Sequence, residues 1–204
     1  MFSYPRVAAS RETLADALWP DVDAEIVGHR LHLAVSGARA ALKAAVPDID
    51  PIRCSGGAYA WNPAVAIESD VELLLRANRD ATRASMEAAL DAYGGEYLAG
   101  ETAEWIYPLR VRCANAYVTL LERLAREALA EHDYARALDW SLRLVESDRA
   151  HEGATRLVME AFAGSGRRGA AIAEYEALAA YLRRHLALQP SAETAALRDR
   201  IARG

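Results

Sequence analysis

The chain has 204 residues, enough for one sizeable core or two small ones, and 52% of them are apolar. The net charge of −5 argues against indiscriminate coating of nucleic acid, and no apolar run approaches the roughly 18 residues that a membrane span needs. Cys54 and Cys113 stand far apart without a CxxC, so neither a disulfide framework nor a zinc site is expected. The opening MFSYPRVAASRE lacks a basic segment followed by an apolar core, and the expected location is the reducing cytoplasm.

In chain order, the first predicted helix opens at Ser10, a good N-cap, and Pro20 stops it. Leu14 and Leu18 are read as its inner face, with Trp19 beside them. Pro20–Asp23 forms a tight turn, and Asp23 is placed to start the next helix. That second helix covers residues 24–45 and divides into two stripes. Val27, Leu31, Val35, Ala38 and Leu42 recur at core-facing spacing, whereas His29, His32, Ser36, Arg39 and Lys43 recur on a polar side that carries no carboxylate. A helix lying in a major groove or along phosphates needs such a side, because an acid there would repel DNA. A short helix, a turn and a longer amphipathic helix make a helix-turn-helix pattern.

Residues 52–62 follow as two short strands joined by Ser55-Gly56-Gly57, and the paired glycines supply the positive φ angles of a tight hairpin. Tyr59 and Trp61 share one face and are expected to pack on the preceding helices. Arg53, beside the turn, is a candidate phosphate contact. A hairpin directly after a helix-turn-helix is the layout of a winged helix.

After a brief extended piece at 65–67, Ser69 and Glu72 form a capping box, and a domain boundary is placed near residue 68. One helix is expected from Asp70 to Tyr93, ended by Gly94-Gly95, and a long one from about Thr102 to Glu131 with Pro108 in its first turn. Between 118 and 187 the sequence repeats itself at a fixed shift. Leu124 aligns with Val158, Ala125 with Met159, Ala128 with Phe162, Ala137 with Ala171, Leu138 with Ile172 and Leu144 with Leu178. A helix-turn-helix unit that recurs at about 34 residues, as this one does, has the tetratricopeptide period. A last helix is capped by Ser191 and turns Leu197 and Ile201 inward.

No catalytic set emerges. Gly164-Ser-Gly-Arg-Arg-Gly169 lacks the GxxxxGK[ST] of a phosphate loop and a preceding strand, and reads as the turn between paired helices. His29 and His32 have no third ligand nearby in sequence, and His132, His151 and His185 fall in turns or on polar faces. Neither enzyme activity nor a metal or cofactor is expected.

The order of parts resembles the SARP-type bacterial regulators, which join an OmpR-type winged helix to a bacterial transcriptional activator domain. The resemblance runs through SRETLADALWPD (10–21), HRLHLAVSGARAAL (29–42), GGAYAWNP (56–63) and the Asp70-led helix. It continues through Trp105, Pro108 and Tyr117, LLERLA (120–125), DYARAL (133–138) and AIAEYEALAAYLRRHLALQPSAET (171–194). The implied fold is mainly α: a partial winged helix-turn-helix with a hairpin wing over residues 1–68, then tetratricopeptide-like repeats over 69–204. Against the family pattern, the sheet and first helix that precede the Tyr4-Pro5 match are missing, and Gly37 and Ala40 stand where a basic residue is common. The implied function is promoter binding. His29, Arg30, His32, Ser36, Arg39 and Lys43 would face the major groove, with Arg53, Gly56 and Gly57 near the backbone. The helical domain would support dimerisation or contact with RNA polymerase. Without a first helix, Leu31 and Val35 would need cover from the chain's own helical domain or from self-association. The rival reading is a protein-interaction module of the same architecture without DNA binding.

Overall fold

The computed structural model describes residues 8–79 and 82–204, with the backbone alone for Ala24 and Glu25. Two compact units emerge, Met1–Arg79 with Ala88–Ala114, and Asp80–Glu87 with Asn115–Gly204.

The first unit opens with β1 (Ala9–Ser10), too short to be read from side-chain alternation, which leads directly into α1 (Arg11–Leu18). Ser10 serves both: it pairs with Ala58 in the sheet, and its hydroxyl accepts the Thr13 N–H at 3.1 Å as the helix cap. Leu14 is buried but Leu18, at the helix end, is exposed. The Asp23 carbonyl accepts the amides of Ile26 and Val27, and α2 (Ala24–Leu42) begins there. It ends earlier than residue 45. Tight turns return the amides of Ala45 and Val46 to the Leu42 carbonyl, and Pro47 disfavours helical backbone at Val46.

The hairpin strands are β2 (Ile52–Ser55) and β3 (Ala58–Trp61), and the antiparallel sheet runs β1-β3-β2. Gly56 and Gly57 have φ of 58° and 78°, the pair of positive angles that a two-residue hairpin turn of matching twist requires. The Gly57 carbonyl accepts the Arg11 amide at 3.2 Å, which ties the turn to the start of α1. Ala9, Leu14, Leu31, Val35, Ile52 and Tyr59 form one buried cluster, with Trp19, Leu42 and Trp61 against it. Leu31 and Val35, expected to need cover from elsewhere, are only 4% and 7% exposed. The sheet and α1 close over them. Ala38, assigned to the core stripe, is exposed.

In place of one helix from Asp70 to Tyr93 the chain forms α3 (Asp70–Ala77) and α4 (Arg83–Ala92). The Ser69 hydroxyl accepts the Glu72 amide at 3.4 Å, while the Glu72 side chain pairs forward with Arg76 at 2.9 Å, so half of the capping box forms. Thr82 restarts the helix, its hydroxyl accepting the Ser85 amide at 3.3 Å. Arg110 then pins the connection after α4, donating to the carbonyls of Tyr97, Leu98 and Glu101 and pairing with Glu96 at 2.9 Å. A 3-10 turn at Glu104–Ile106 leads into α5 (Tyr107–Ala130), where Pro108 sits in the first turn and loses no helical bond.

The second unit contains the repeat. Its helices are the later part of α5, α6 (Tyr134–Ser147), α7 (Glu152–Gly164), α8 (Arg168–Leu186) and α9 (Ala192–Arg203). At the aligned positions Leu124, Ala125, Ala128, Ala137, Leu138 and Leu144 are buried, as are Val158, Met159, Ala171 and Leu178. Ala128, Ala137, Leu138, Val158 and Ala161 share one cluster, and Met159, Ala171, Leu197 and Ile201 the next, with Phe162 touching both. The side of α9 bearing Leu197 and Ile201 thus closes the stack, as a repeat array requires at its end. Residues 165–167 are the α7–α8 turn.

Candidate nucleic-acid interface

In α2 the buried line, Val27, Leu31, Val35 and partly Leu42, fixes which residues turn outward. His29, Arg30, His32, Ser36 and Lys43 are all exposed, as are Arg53 on β2 and Gly56 and Gly57 at the hairpin turn. Between Ile26 and Lys43 the sequence holds no carboxylate. Lys43 follows the last residue of α2, and its amide still bonds to the Arg39 carbonyl at 3.0 Å.

Arg39 has another task. Its Nε donates to Asp50 Oδ1 at 3.0 Å, and its Nη2 donates to the Ile52 carbonyl at 2.6 Å. Asp50 Oδ1 also accepts the Ile52 amide at 3.1 Å, and the Asp50 carbonyl accepts from Asn62 Nδ2 at 2.9 Å. One guanidinium thus ties the end of α2 to the entry of the hairpin, next to Arg53. The side chain is half-buried, which spacing along a helix does not disclose.

Spacing also missed the outermost line. Seven residues make almost two turns of helix, so Ile26, Leu33 and Ala40 stack on one line about half a turn from the core. Leu33 is 56% and Ile26 52% exposed, and a Cβ on neighbouring Gly37 would meet nothing within 4 Å. The polar groups form shoulders beside this line: His29, Ser36 and Lys43 on one side, Arg30 on the other. The signal was available as large apolar residues at a seven-residue interval opposite the core stripe.

The described residues contain no group of three or more His, Cys, Asp or Glu that could hold a metal, and no described helix is long and apolar enough to cross a membrane. His151 caps α7: its Nδ1 accepts the Ala154 amide at 3.0 Å, so the ring proton lies on Nε2, 3.3 Å from Glu122.

A winged helix followed by a stack of paired helices defines a regulator of the SARP type. Residues 65–202 match the family described as the bacterial transcriptional activator domain, and the chain belongs to that family of transcriptional regulators. No curated protein matches the sequence. Among solved structures, the fold is similar to that of Mycobacterium tuberculosis EmbR in complex with a low-affinity phosphopeptide. The TM-score is 0.70 and the identity 18%, over 97% of this chain and 55% of that one. The chain therefore spans about half the length of that relative.

Proposed function

We propose that the protein is a DNA-binding transcriptional activator that reads promoter DNA with α2 in the major groove. Residues 52–62 lie along the phosphate backbone, and the helical domain serves dimerisation or contact with RNA polymerase. The observation that carries this reading is the exposed, carboxylate-free side of α2 joined through Arg39 to the hairpin. His29, Arg30, His32, Ser36 and Lys43 supply donors along about 21 Å of the helix axis. Arg53 and the amides of Gly56 and Gly57 supply contacts to phosphate. The domains of this reading are 1–68 for DNA and 69–204 for regulation, and it assigns the chain no catalysis and a place in the cytoplasm.

A selection from genomic DNA fragments at low and physiological salt tests it. A fragment should be enriched at physiological salt, and Lys43→Ala should weaken specific and unrelated duplexes alike, as loss of a phosphate contact does. If Arg30, Lys43 and Arg53 each contact one phosphate, the slope of log K against log salt should be about −3 for each protomer. If no fragment is enriched and no salt-dependent binding appears, the reading falls, and an interaction module of the same architecture takes its place.

A further inference from the structure

Resting on the DNA reading, we propose that Leu33, with Ile26 two turns before it, recognises the C5-methyl groups of thymine on the floor of the major groove. Among the described residues of α2, these two are the large apolar side chains held in solvent, at 56% and 52% exposure, and they stand on the line farthest from the buried face. A leucine or isoleucine has nothing to donate to guanine O6 or accept from adenine N6. The one apolar feature that a base pair presents in the major groove is the thymine methyl.

The flanks of the line say which partner fits it. His29, Ser36 and Lys43 run along one shoulder, Arg30 stands on the other, and no acid intervenes from Ile26 to Lys43. That is an apolar ridge between positive and hydrogen-bonding edges, the complement of a groove whose rims are phosphate and whose floor carries methyls. Beyond Leu33 the ridge drops to Gly37 and Ala40, where the helix has almost no side chain, and a Cβ built at Gly37 meets open space. The helix can therefore approach the floor closely enough for a leucine to touch a methyl, instead of standing off on long cationic side chains. The hairpin is tied to α1 at its glycine turn, through the Arg11 amide, and to α2 at its entry, where Arg39 and Asp50 hold Ile52, and these two ties set the angle of that approach.

The test uses the full chain and the duplex enriched in the selection above. Each thymine in turn is replaced by deoxyuridine, which removes the methyl and leaves every hydrogen-bonding group in place. For wild type, one or two replacements should weaken binding by about fourfold each, the factor that burial of one methyl supplies. In Leu33→Ala the effect should vanish at one of those thymines, with the thymine duplex weakened and the deoxyuridine duplex bound as before. Ile26→Ala should do the same at another position. Lys43→Ala should lower both duplexes by one factor and keep the ratio. Because both apolar side chains are exposed, the alanine variants should keep the wild-type circular dichroism.

If the chain binds its duplex but the thymine-to-deoxyuridine ratio is one throughout, or survives both alanine variants, the inference is overturned while the DNA reading stands. If Leu33→Ala leaves every duplex unchanged but dissolves a self-associated species, the ridge is a protein contact and the inference is likewise overturned. If no duplex binds at all, the underlying reading falls first.

Discussion

At Gly164 the last turn of α7 runs against the ring of Tyr134. A Cβ there would sit 2.3 Å from Cε1 and 2.6 Å from Cζ of the tyrosine. The ring is half-buried, and its hydroxyl meets His132 Nδ1 at 3.0 Å, so it has little freedom to yield. Gly164→Ala is expected to cost about 1–3 kcal/mol, the range for overpacking, although alanine is the better helix former. Thermal unfolding of Gly164→Ala alone and combined with Tyr134→Ala should show a loss well below additive in the double variant. Arg39 makes the complementary case. Spacing placed it on the polar side of α2, correctly as chemistry, but could not foresee that Asp50 and the Ile52 carbonyl lie within its reach, because the path of residues 43–51 is not periodic. Arg39→Ala should therefore lower stability by about 1 kcal/mol, a modest figure for a pair that is partly in water. It should also speed amide exchange at Ile52 and the hairpin strands. Faster exchange at the hairpin would show that any loss of DNA affinity in this variant acts through positioning.

Among the elements, α9 is held by its first turn as much as by its apolar face. Glu152 Oε2, at the start of α7, accepts from the Ser191 amide at 2.9 Å and from the hydroxyls of Ser191 and Thr194 at 2.6 Å each. Arg156 reinforces the joint, donating to Thr194 at 3.0 Å and pairing with Glu193 at 3.1 Å. Burial pushes the Glu152 carboxyl up, but the bonds from Ser191 and Thr194 and the Arg156 charge together outweigh it, and it settles below the ordinary glutamate value. A carboxyl lowered in the folded state stabilises the fold above its unfolded pKa, and loses that contribution as pH falls through the folded one. Docking of α9 should therefore weaken on acidification below about pH 4.5, the unfolded range for glutamate. Glu152→Gln should cost about 1 kcal/mol at neutral pH. Its difference in melting temperature from wild type should shrink as the pH drops toward 3; a gap that stays constant would contradict the assignment. The sequence disclosed Ser191 as a cap, because that contact is local, but not its tie to Glu152, far back along the chain at the start of another helix. The break between α3 and α4 escaped for a different reason: the apolar spacing of 70–93 continues across it and masks the local Thr82–Ser85 cap.

For the whole chain, the helical repeat was legible because four of the six aligned pairs recur as buried residues, Phe162 and Ile172 being partly buried, whereas the extent of the compact units was not. A boundary near residue 68 follows from the Ser69–Glu72 cap that opens the helical part, yet the segment up to Arg79 and Ala88–Ala114 belong to one unit, and the family match runs from 65 to 202. Inside that unit β3 and the segment after it share walls with α3: Trp61, Asn62, Pro63, Val65, Ile67, Glu72 and Arg76 line one cleft of about 640 Å³. A cut at 65 removes Trp61, Asn62 and Pro63 from those walls and leaves α3 with one side newly wet. The repeat helices keep their own clusters, from Ala128 and Ala137 to Leu197 and Ile201. A fragment of residues 65–204 is therefore expected to fold, with strong helical circular dichroism and a cooperative melt, but unevenly relative to the full chain. Amide exchange should accelerate at Leu74, whose side chain is fully buried, and stay unchanged at Leu124, Val158 and Leu178. Equal acceleration at all four would show that the winged helix stabilises the repeats as well. No acceleration at Leu74 would place the energetic boundary at residue 65 itself, and the helical domain would then stand as a unit that folds without the winged helix.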